Sequence, residues 1–253
     1  MRIMAIATNT FREAIRDRIL YLLLAFAIVM IASSRILSFL TVGSEEKIVK
    51  DIGLASISLF GVATAIFVGV GLVFKEIEKR TVYTLVSKPI RRSHFILGKY
   101  LGLVMVLAVN VAVMTVFLCL QLAAKGWMDP AILRAVLLMF VELLLVTAIA
   151  IFFSSFSTPI LSSLFTVTSY VIGHLSPGLL MLADRVEGAS AKLVCRALYR
   201  ILPNLEILNL KGMVVHGVEV PFDEVLYAAA YGIFYTLAVL GCSVAVFHRK
   251  DFQ

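Results

Sequence analysis

Charged residues are scarce in this sequence. Only 15% of its 253 residues are charged, whereas 61% are hydrophobic and the mean hydropathy is +1.00. A soluble domain has about a quarter of its residues charged, so this chain has too few polar groups to cover a surface in water. We therefore expect an integral membrane protein. The net charge of +7 then reflects basic loops on the cytoplasmic side of a membrane, not binding to nucleic acid.

The sequence also lacks the motifs of the common catalytic and metal sites. Its three cysteines form neither a disulfide framework nor a metal-ligand spacing. The four histidines are scattered, no Gly-x-Ser-x-Gly elbow occurs, and no Walker A loop is present to cradle a phosphate. We therefore expect a protein that is not an enzyme and binds no cofactor directly. If ATP and Mg²⁺ drive its work, a partner ATPase must bind them.

Six continuously apolar runs dominate the chain. Each has about 20 residues or slightly more, enough to cross a hydrocarbon core of roughly 30 Å as a helix. Barrel strands would alternate apolar and polar residues instead, so the expected fold is an all-α membrane protein with a single domain over residues 1–253. The runs are 19–40, 52–74, 101–124, 131–153, 160–183 and 225–247.

The fifth run contains a break. His174 is followed by Pro177 and Gly178, and a Pro-Gly pair inside an apolar run kinks or ends a helix. One expectation is that the span ends near His174 and that a second short helix follows. His174 has no second metal ligand nearby in the sequence, so we expect a capped, solvated side chain there.

Basic residues indicate the orientation. Four lie before the first run, seven lie in residues 75–99, and the tail adds Arg249 and Lys250. The opposite loops carry balanced charge. The positive-inside rule therefore places both termini and residues 75–99 in the cytoplasm.

Amphipathic segments flank the spans. Residues 1–18 have apolar side chains at helical spacing and basic residues on other faces, which is typical of a helix lying in the membrane interface. In the outer segment, 184–224, Lys192, Arg196 and Arg200 form a basic stripe opposite an apolar face. Pro203 stops this second amphipathic helix.

Two polar residues lie inside predicted spans, Asn110 in the third and Glu142 in the fourth. A carboxyl group at mid-bilayer costs about 2.5–3.5 kcal/mol, so it needs a partner or water. One hypothesis is a substrate pathway or a proton site. The other is a neutral Glu142 that is hydrogen-bonded to Asn110 and holds two antiparallel helices together.

Residues 75–94 are the most charged part of the chain. Val82, Tyr83, Leu85 and Val86 make an apolar patch at helical spacing, and Pro89 closes it. Such a segment is either a solvated basic connector or a short amphipathic helix that inserts into the lipid interface or a partner's groove.

The order Glu78-Lys79-Arg80-Thr81, Leu85, Pro89, Arg92 and Gly98-Lys99 resembles the cytoplasmic signature of type-2 ABC exporter permeases, with Arg80 in place of the family's usual Gly. The layout of spans and amphipathic segments is similar too. The resemblance implies a permease of the bacterial inner membrane that works as a dimer with a separate cytoplasmic ABC ATPase. The implied coupling helix would dock on the ATPase through Glu78, Lys79, Arg80, Thr81, Val82, Tyr83, Leu85, Val86 and Pro89.

The same resemblance makes the region of His174 and Pro177 a candidate outer gate. An alternative is an ATPase-coupled scaffold that transmits force within a larger envelope complex, with further subunits, and moves no solute. The sequence does not identify a substrate.

Overall fold

The computed structural model describes residues 2–38, 44–78, 92–185 and 188–249, and these residues form helices without any strand. In chain order the elements are α1 (Arg2–Ile15), α2 (Arg18–Ser38), α3 (Glu45–Glu78), α4 (Arg92–Ala123), α5 (Ala131–Ser154), α6 (Pro159–His174), α7 (Ser176–Arg185), α8 (Ala189–Ile201), a 3-10 helix (Leu205–Leu208), α9 (Lys211–Val215) and α10 (Phe222–Arg249).

Five of these helices, α2, α3, α4, α5 and α10, are long and apolar enough to cross a membrane. They coincide with five of the six predicted runs, which are thereby confirmed as helices. At 1.5 Å per residue, the 34 residues of α3 and the 32 residues of α4 make helices about 50 Å long. Both therefore extend well beyond a hydrocarbon core of roughly 30 Å.

The fifth predicted run is divided between two helices. α6 has 16 residues and ends at His174, and α7 begins at Ser176, so the expected break is confirmed. Pro177 lies in the first turn of α7, where its missing N–H has no helical partner to lose. At about 24 Å, α6 is shorter than the hydrocarbon core. No sixth helix of spanning length occurs among the described residues, and the count of six stays a prediction.

The two ends of the bundle are distinct. At one end, which we call the terminal end, α1 packs on the first turns of α4, and Phe95 of α4 stacks on Phe247 of α10 with ring centroids 5.8 Å apart. At the opposite end, the loop end, Lys50 of α3 lies 3.4 Å from Asp129, and Arg134 donates to the backbone oxygen of Val220 at 2.9 Å. Side-chain contacts thus fasten the loops of that end to the bundle.

Two apolar cores lie along the bundle. The smaller one is at the terminal end and includes Leu72, Phe95 and Phe247. The larger one extends to the loop end and is centred on α3, α4 and α5. α5 is buried along most of its length and contributes to both cores, because apart from Arg134 and Glu142 its sequence is almost entirely apolar.

α1 crosses α4 at very short range. Ala7, Thr10 and Ala14 on one face of α1 are fully buried, and α4 has Gly98 and Gly102 at the crossing. A Cβ atom added at Gly102 would lie 2.7 Å from the backbone oxygen of Ala7. Two glycines one turn apart remove the side chains that would keep the backbones separate. α1 is thus a helix as predicted, while its place in the membrane interface stays a prediction.

The outer segment returns to the bundle. α8 is the predicted amphipathic helix, and Leu193 and Val194 on its apolar face are exposed. Beyond Pro203 the chain turns inward, and Leu205 and Leu208 of the 3-10 helix are fully buried in the larger core. This inward turn brings polar side chains of the outer segment to the end of α6.

Candidate functional site

A cluster of polar side chains lies where α5, the end of α6 and the 3-10 helix meet. Glu142 comes from the middle of α5, His174 is the last residue of α6, and Glu206 belongs to the 3-10 helix. We call these three residues the histidine cluster. The side chain of Glu142 is 1% exposed, that of His174 19%, and that of Glu206 46%. The cluster therefore runs from the bundle interior toward its surface.

His174 contacts both carboxyl groups. Its Nε2 lies 2.8 Å from Oε1 of Glu142, and its Nδ1 lies 3.3 Å from Oε2 of Glu206. The two nitrogens point in different directions from the ring, so the imidazole bridges α5 and the 3-10 helix. The ring of Tyr170, one turn earlier in α6, meets that of His174 edge to face with centroids 4.7 Å apart. This contact fixes the plane of the imidazole.

A cation and two hydroxyl groups complete the surroundings. Lys211 of α9 donates from Nζ to Oγ of Ser58 on α3 at 2.8 Å, and its charge acts on His174. The hydroxyl of Tyr170 interacts with Glu142 and Ser58. Five elements of the fold therefore converge on this one polar region inside an apolar bundle.

Local sequence explains how the 3-10 helix reaches His174. Gly173 permits the approach, because a Cβ atom there would lie 2.8 Å from Cγ of Leu205 and 3.0 Å from the backbone oxygen of Pro203. Asn204 caps the 3-10 helix through its side-chain oxygen, which accepts the N–H of Glu206 at 3.1 Å. Tyr231 of α10 accepts the N–H of Asn204 at 2.9 Å. These contacts place Glu206 beside the imidazole.

The hydrogen bond considered between Asn110 and Glu142 is wrong. Asn110 donates to Oγ1 of Thr64 on α3 at 3.0 Å, while Glu142 pairs with His174. The two predicted spans do lie side by side, but Asn110 and Glu142 face different neighbours. The expectation of a solvated His174 is also wrong, because the returning outer segment covers it and supplies a second carboxyl group.

The other predicted site residues fall in different places. Pro177 is exposed at the start of α7, three residues beyond the histidine cluster, and its role in an outer gate stays a prediction. Of the docking residues, Glu78 ends α3, and those at 79–89 lie outside the described residues. α3 ends at Glu78 and α4 begins at Arg92, so the two ends of the predicted coupling segment, 75–94, belong to these helices.

Sequence reasoning missed Ser58, Tyr170, Glu206 and Lys211. The contacts of Glu206 and Lys211 depend on the inward turn after Pro203, which brings residues more than 30 positions away toward His174. Tyr170 lies one turn before His174 in α6, and Ser58 comes from α3. The available signal was the unexplained carboxyl group of Glu142 together with a histidine at a helix break. That signal indicated a buried polar site, but it did not identify the elements that complete it.

The similarity to known proteins covers nearly the whole chain. The sequence profile described as ABC-2 family transporter protein matches residues 4–252. The chain belongs to this family. No curated protein sequence matches it significantly.

Membership in the ABC-2 family agrees with the architecture. The protein is a multi-pass membrane component of the permease type, with several helices of membrane length and no strand among the described residues. Such components cooperate in general with an ABC ATPase. The polar region around His174 therefore belongs to the membrane part of a transport system. Among the described residues, no group of three or more His, Cys, Asp or Glu side chains has the arrangement of a metal site.

Proposed function

We propose that this protein is the membrane-spanning subunit of an ATP-driven export system of the bacterial inner membrane. It works as a dimer with a separate cytoplasmic ABC ATPase, which binds ATP and Mg²⁺. The observation that carries the proposal is the family match over residues 4–252, and the absence of a Walker A loop in the sequence means that a second chain supplies the nucleotide site. Both termini lie in the cytoplasm.

The ATPase docks on residues 75–94, through the positions Glu78 to Pro89 named above. Support comes from the helices on either side. α3 ends at Glu78 and α4 begins at Arg92, so a force applied between them acts on two helices that reach the larger core. The first turns of α4 also contact α1 at Gly98 and α10 at Phe95. A displacement of α4 therefore moves its neighbours at the terminal end.

The salt link between Glu13 and Lys99 adds to this connection. Nζ of Lys99 lies 3.8 Å from Oε2 of Glu13, and the lysine side chain is 1% exposed. The side chain of Glu13 is 38% exposed, so only the lysine end of the link is buried. Separating α1 from α4 would take this carboxylate away from a buried ammonium, which is unfavourable. α1 and α4 thus respond to the docked ATPase as one unit.

Cysteine crosslinking tests the docking. In a variant whose native cysteines are replaced by serine, Tyr83→Cys is expected to crosslink to the co-expressed ATPase. Trp127→Cys, at the loop end, is the matched control and is expected to give no crosslink. Failure of the ATPase to co-purify, together with equal crosslinking at the two positions, would contradict the proposal. Native mass spectrometry of the complex checks for two copies of this chain.

Transport assays separate export from scaffolding. ATP-dependent accumulation of a substrate in vesicles made with the protein and its ATPase supports export. Intact complex formation with no accumulation for any class of candidate substrate supports the scaffold alternative. If Glu142→Gln leaves the transport rate unchanged, Glu142 is not part of the substrate pathway.

A further inference from the structure

The geometry of the histidine cluster indicates how many protons its three side chains hold. A neutral imidazole has one N–H donor and one lone pair, and an ionised carboxylate only accepts hydrogen bonds. In the structure both ring nitrogens of His174 face carboxyl oxygens. With a neutral ring and two carboxylates, one of these contacts would set two lone pairs against each other. Both contacts are hydrogen bonds only when the cluster holds one additional proton.

We propose that Glu142, His174 and Glu206 form a proton-binding site that holds the 3-10 helix against the bundle. This site is distinct from the proposed ATPase docking and does not depend on it. In the protonated state, Nε2–H donates to Glu142 and Nδ1–H donates to Glu206. The proton is thus the ligand, and the structure shows the site in its closed arrangement.

Burial of the ring and the charge of Lys211 oppose the bound proton, whereas the carboxylates of Glu142 and Glu206 favour it. The charged and titratable groups facing His174 in the described part of the chain are Glu142 on α5, Glu206 on the 3-10 helix, Lys211 on α9 and Tyr170 on α6. Two carboxylates are balanced by Lys211 and an imidazolium, so the protonated cluster is neutral. Loss of the proton leaves one net negative charge in a region of low dielectric, which is unfavourable. α3 contributes the neutral Ser58.

The two carboxyl groups differ in exposure, and this decides which contact opens. Glu142 is 1% exposed and lies 2.8 Å from the ring, whereas Glu206 is 46% exposed and lies 3.3 Å away. The proton is therefore expected to leave from Nδ1, on the side of the longer contact to the more exposed Glu206. The Nδ1 lone pair then faces the carboxylate of Glu206, and attraction becomes repulsion. The bond from Nε2–H to Glu142 remains.

Opening at Glu206 has a structural consequence. The 3-10 helix buries Leu205 and Leu208 completely in the larger core. Its release at higher pH would expose that core at the level of Glu142, near the middle of α5 and next to the end of α6. The proton thus controls access to the bundle interior at this level.

Nitrogen-15 NMR of the full-length protein in nanodiscs, with labelled histidine, tests proton binding. One of the four histidines is expected to stay doubly protonated to a higher pH than a free imidazole, which loses its proton near about pH 6.5. His174→Gln assigns the signal. In Glu206→Gln the same signal is expected to become that of a neutral ring, since the amide no longer requires the extra proton. Glu219→Gln, an exposed loop-end control, is expected to leave it unchanged.

Hydrogen exchange measures how firmly the 3-10 helix is held against the bundle. After correction for intrinsic rates, amides of residues 204–210 are expected to exchange about tenfold more slowly at pH 6 than at pH 9, as for loss of one charged hydrogen bond. Glu206→Gln should remove this pH dependence while the protein stays folded. The proposal is overturned if every histidine titrates as a free imidazole, or if wild type and Glu206→Gln show the same pH dependence of exchange.

Discussion

Substitution of Gly102 by alanine tests the close crossing of α1 and α4. The added Cβ would lie 2.5 Å from Cβ of Thr10 and 2.7 Å from the backbone oxygen of Ala7. Carbon atoms normally approach to about 3.5–4.0 Å, so α1 must move by about 1 Å. Neither neighbouring atom can rotate away, because both are fixed to the backbone of α1. Overpacking of this kind costs about 1–3 kcal/mol.

A matched control isolates this cost. Gly241→Ala in α10 meets nothing within 4 Å, so it gains up to about 1 kcal/mol of helix propensity without any clash. Gly102→Ala gains the same propensity, and the difference between the two variants is therefore the overpacking term. Gly53→Ala is intermediate: its Cβ would lie 2.4 Å from Cδ1 of Leu118, but a leucine side chain can rotate.

Thermal unfolding in nanodiscs measures the order of the three variants. We expect Gly102→Ala to be the least stable, Gly53→Ala to be intermediate and Gly241→Ala to equal or exceed the wild type. Hydrogen exchange should also be faster in residues 2–15 of Gly102→Ala alone. If Gly102→Ala is as stable as Gly241→Ala and α1 exchanges at the wild-type rate, the two helices do not cross at this distance.

Three further substitutions probe other contacts by the same unfolding measurement. Tyr231→Phe leaves the backbone N–H of Asn204 without its acceptor and is expected to cost about 1–3 kcal/mol; no loss of stability would contradict the contact. Phe247→Ala removes the stack on Phe95 and is expected to cost about 3–5 kcal/mol, whereas the exposed Phe234→Ala should have a much smaller effect. Glu142→Leu should destabilise the protein by about 1–3 kcal/mol. Glu142→Gln should destabilise it by less, because the glutamine amide keeps an oxygen that accepts from His174 and leucine does not. Equal effects of the two variants would show that the hydrogen bond between residue 142 and His174 is unimportant.

The sequence predicts the spanning helices well. Long apolar runs without charge identify a helix in lipid because the backbone must satisfy its own hydrogen bonds there. The break after His174 was also predictable, since Pro177 cannot continue the α6 ladder. Both features depend on residues close together in the chain.

The histidine cluster was only partly predictable. Glu142 was recognised as a residue that needs a partner, but the chain offered two, Asn110 at the neighbouring span and His174 at the helix break. The hypothesis of a hydrogen bond to Asn110 assumed only that two antiparallel spans lie side by side. The actual partner depends on which face of α5 meets the end of α6, and the adjacency of two spans does not determine that rotation.

α5 connects the two ends of the bundle through one uninterrupted helix. Its 24 residues contain neither glycine nor proline, the residues at which helices most often bend, whereas α3 has Gly53, Gly61, Gly69 and Gly71 along its length. Ala148 and Ile151 of α5 pack in the core at the terminal end, and Glu142, about two turns away, holds His174. A shift of the terminal core along α5 would therefore be transmitted toward Glu142, because the helix has no glycine or proline at which to bend. A shift along α3 would pass four glycines, so α5 is the element through which ATP-driven movement at the terminal end and proton binding at Glu142, near the middle of the bundle, would influence each other.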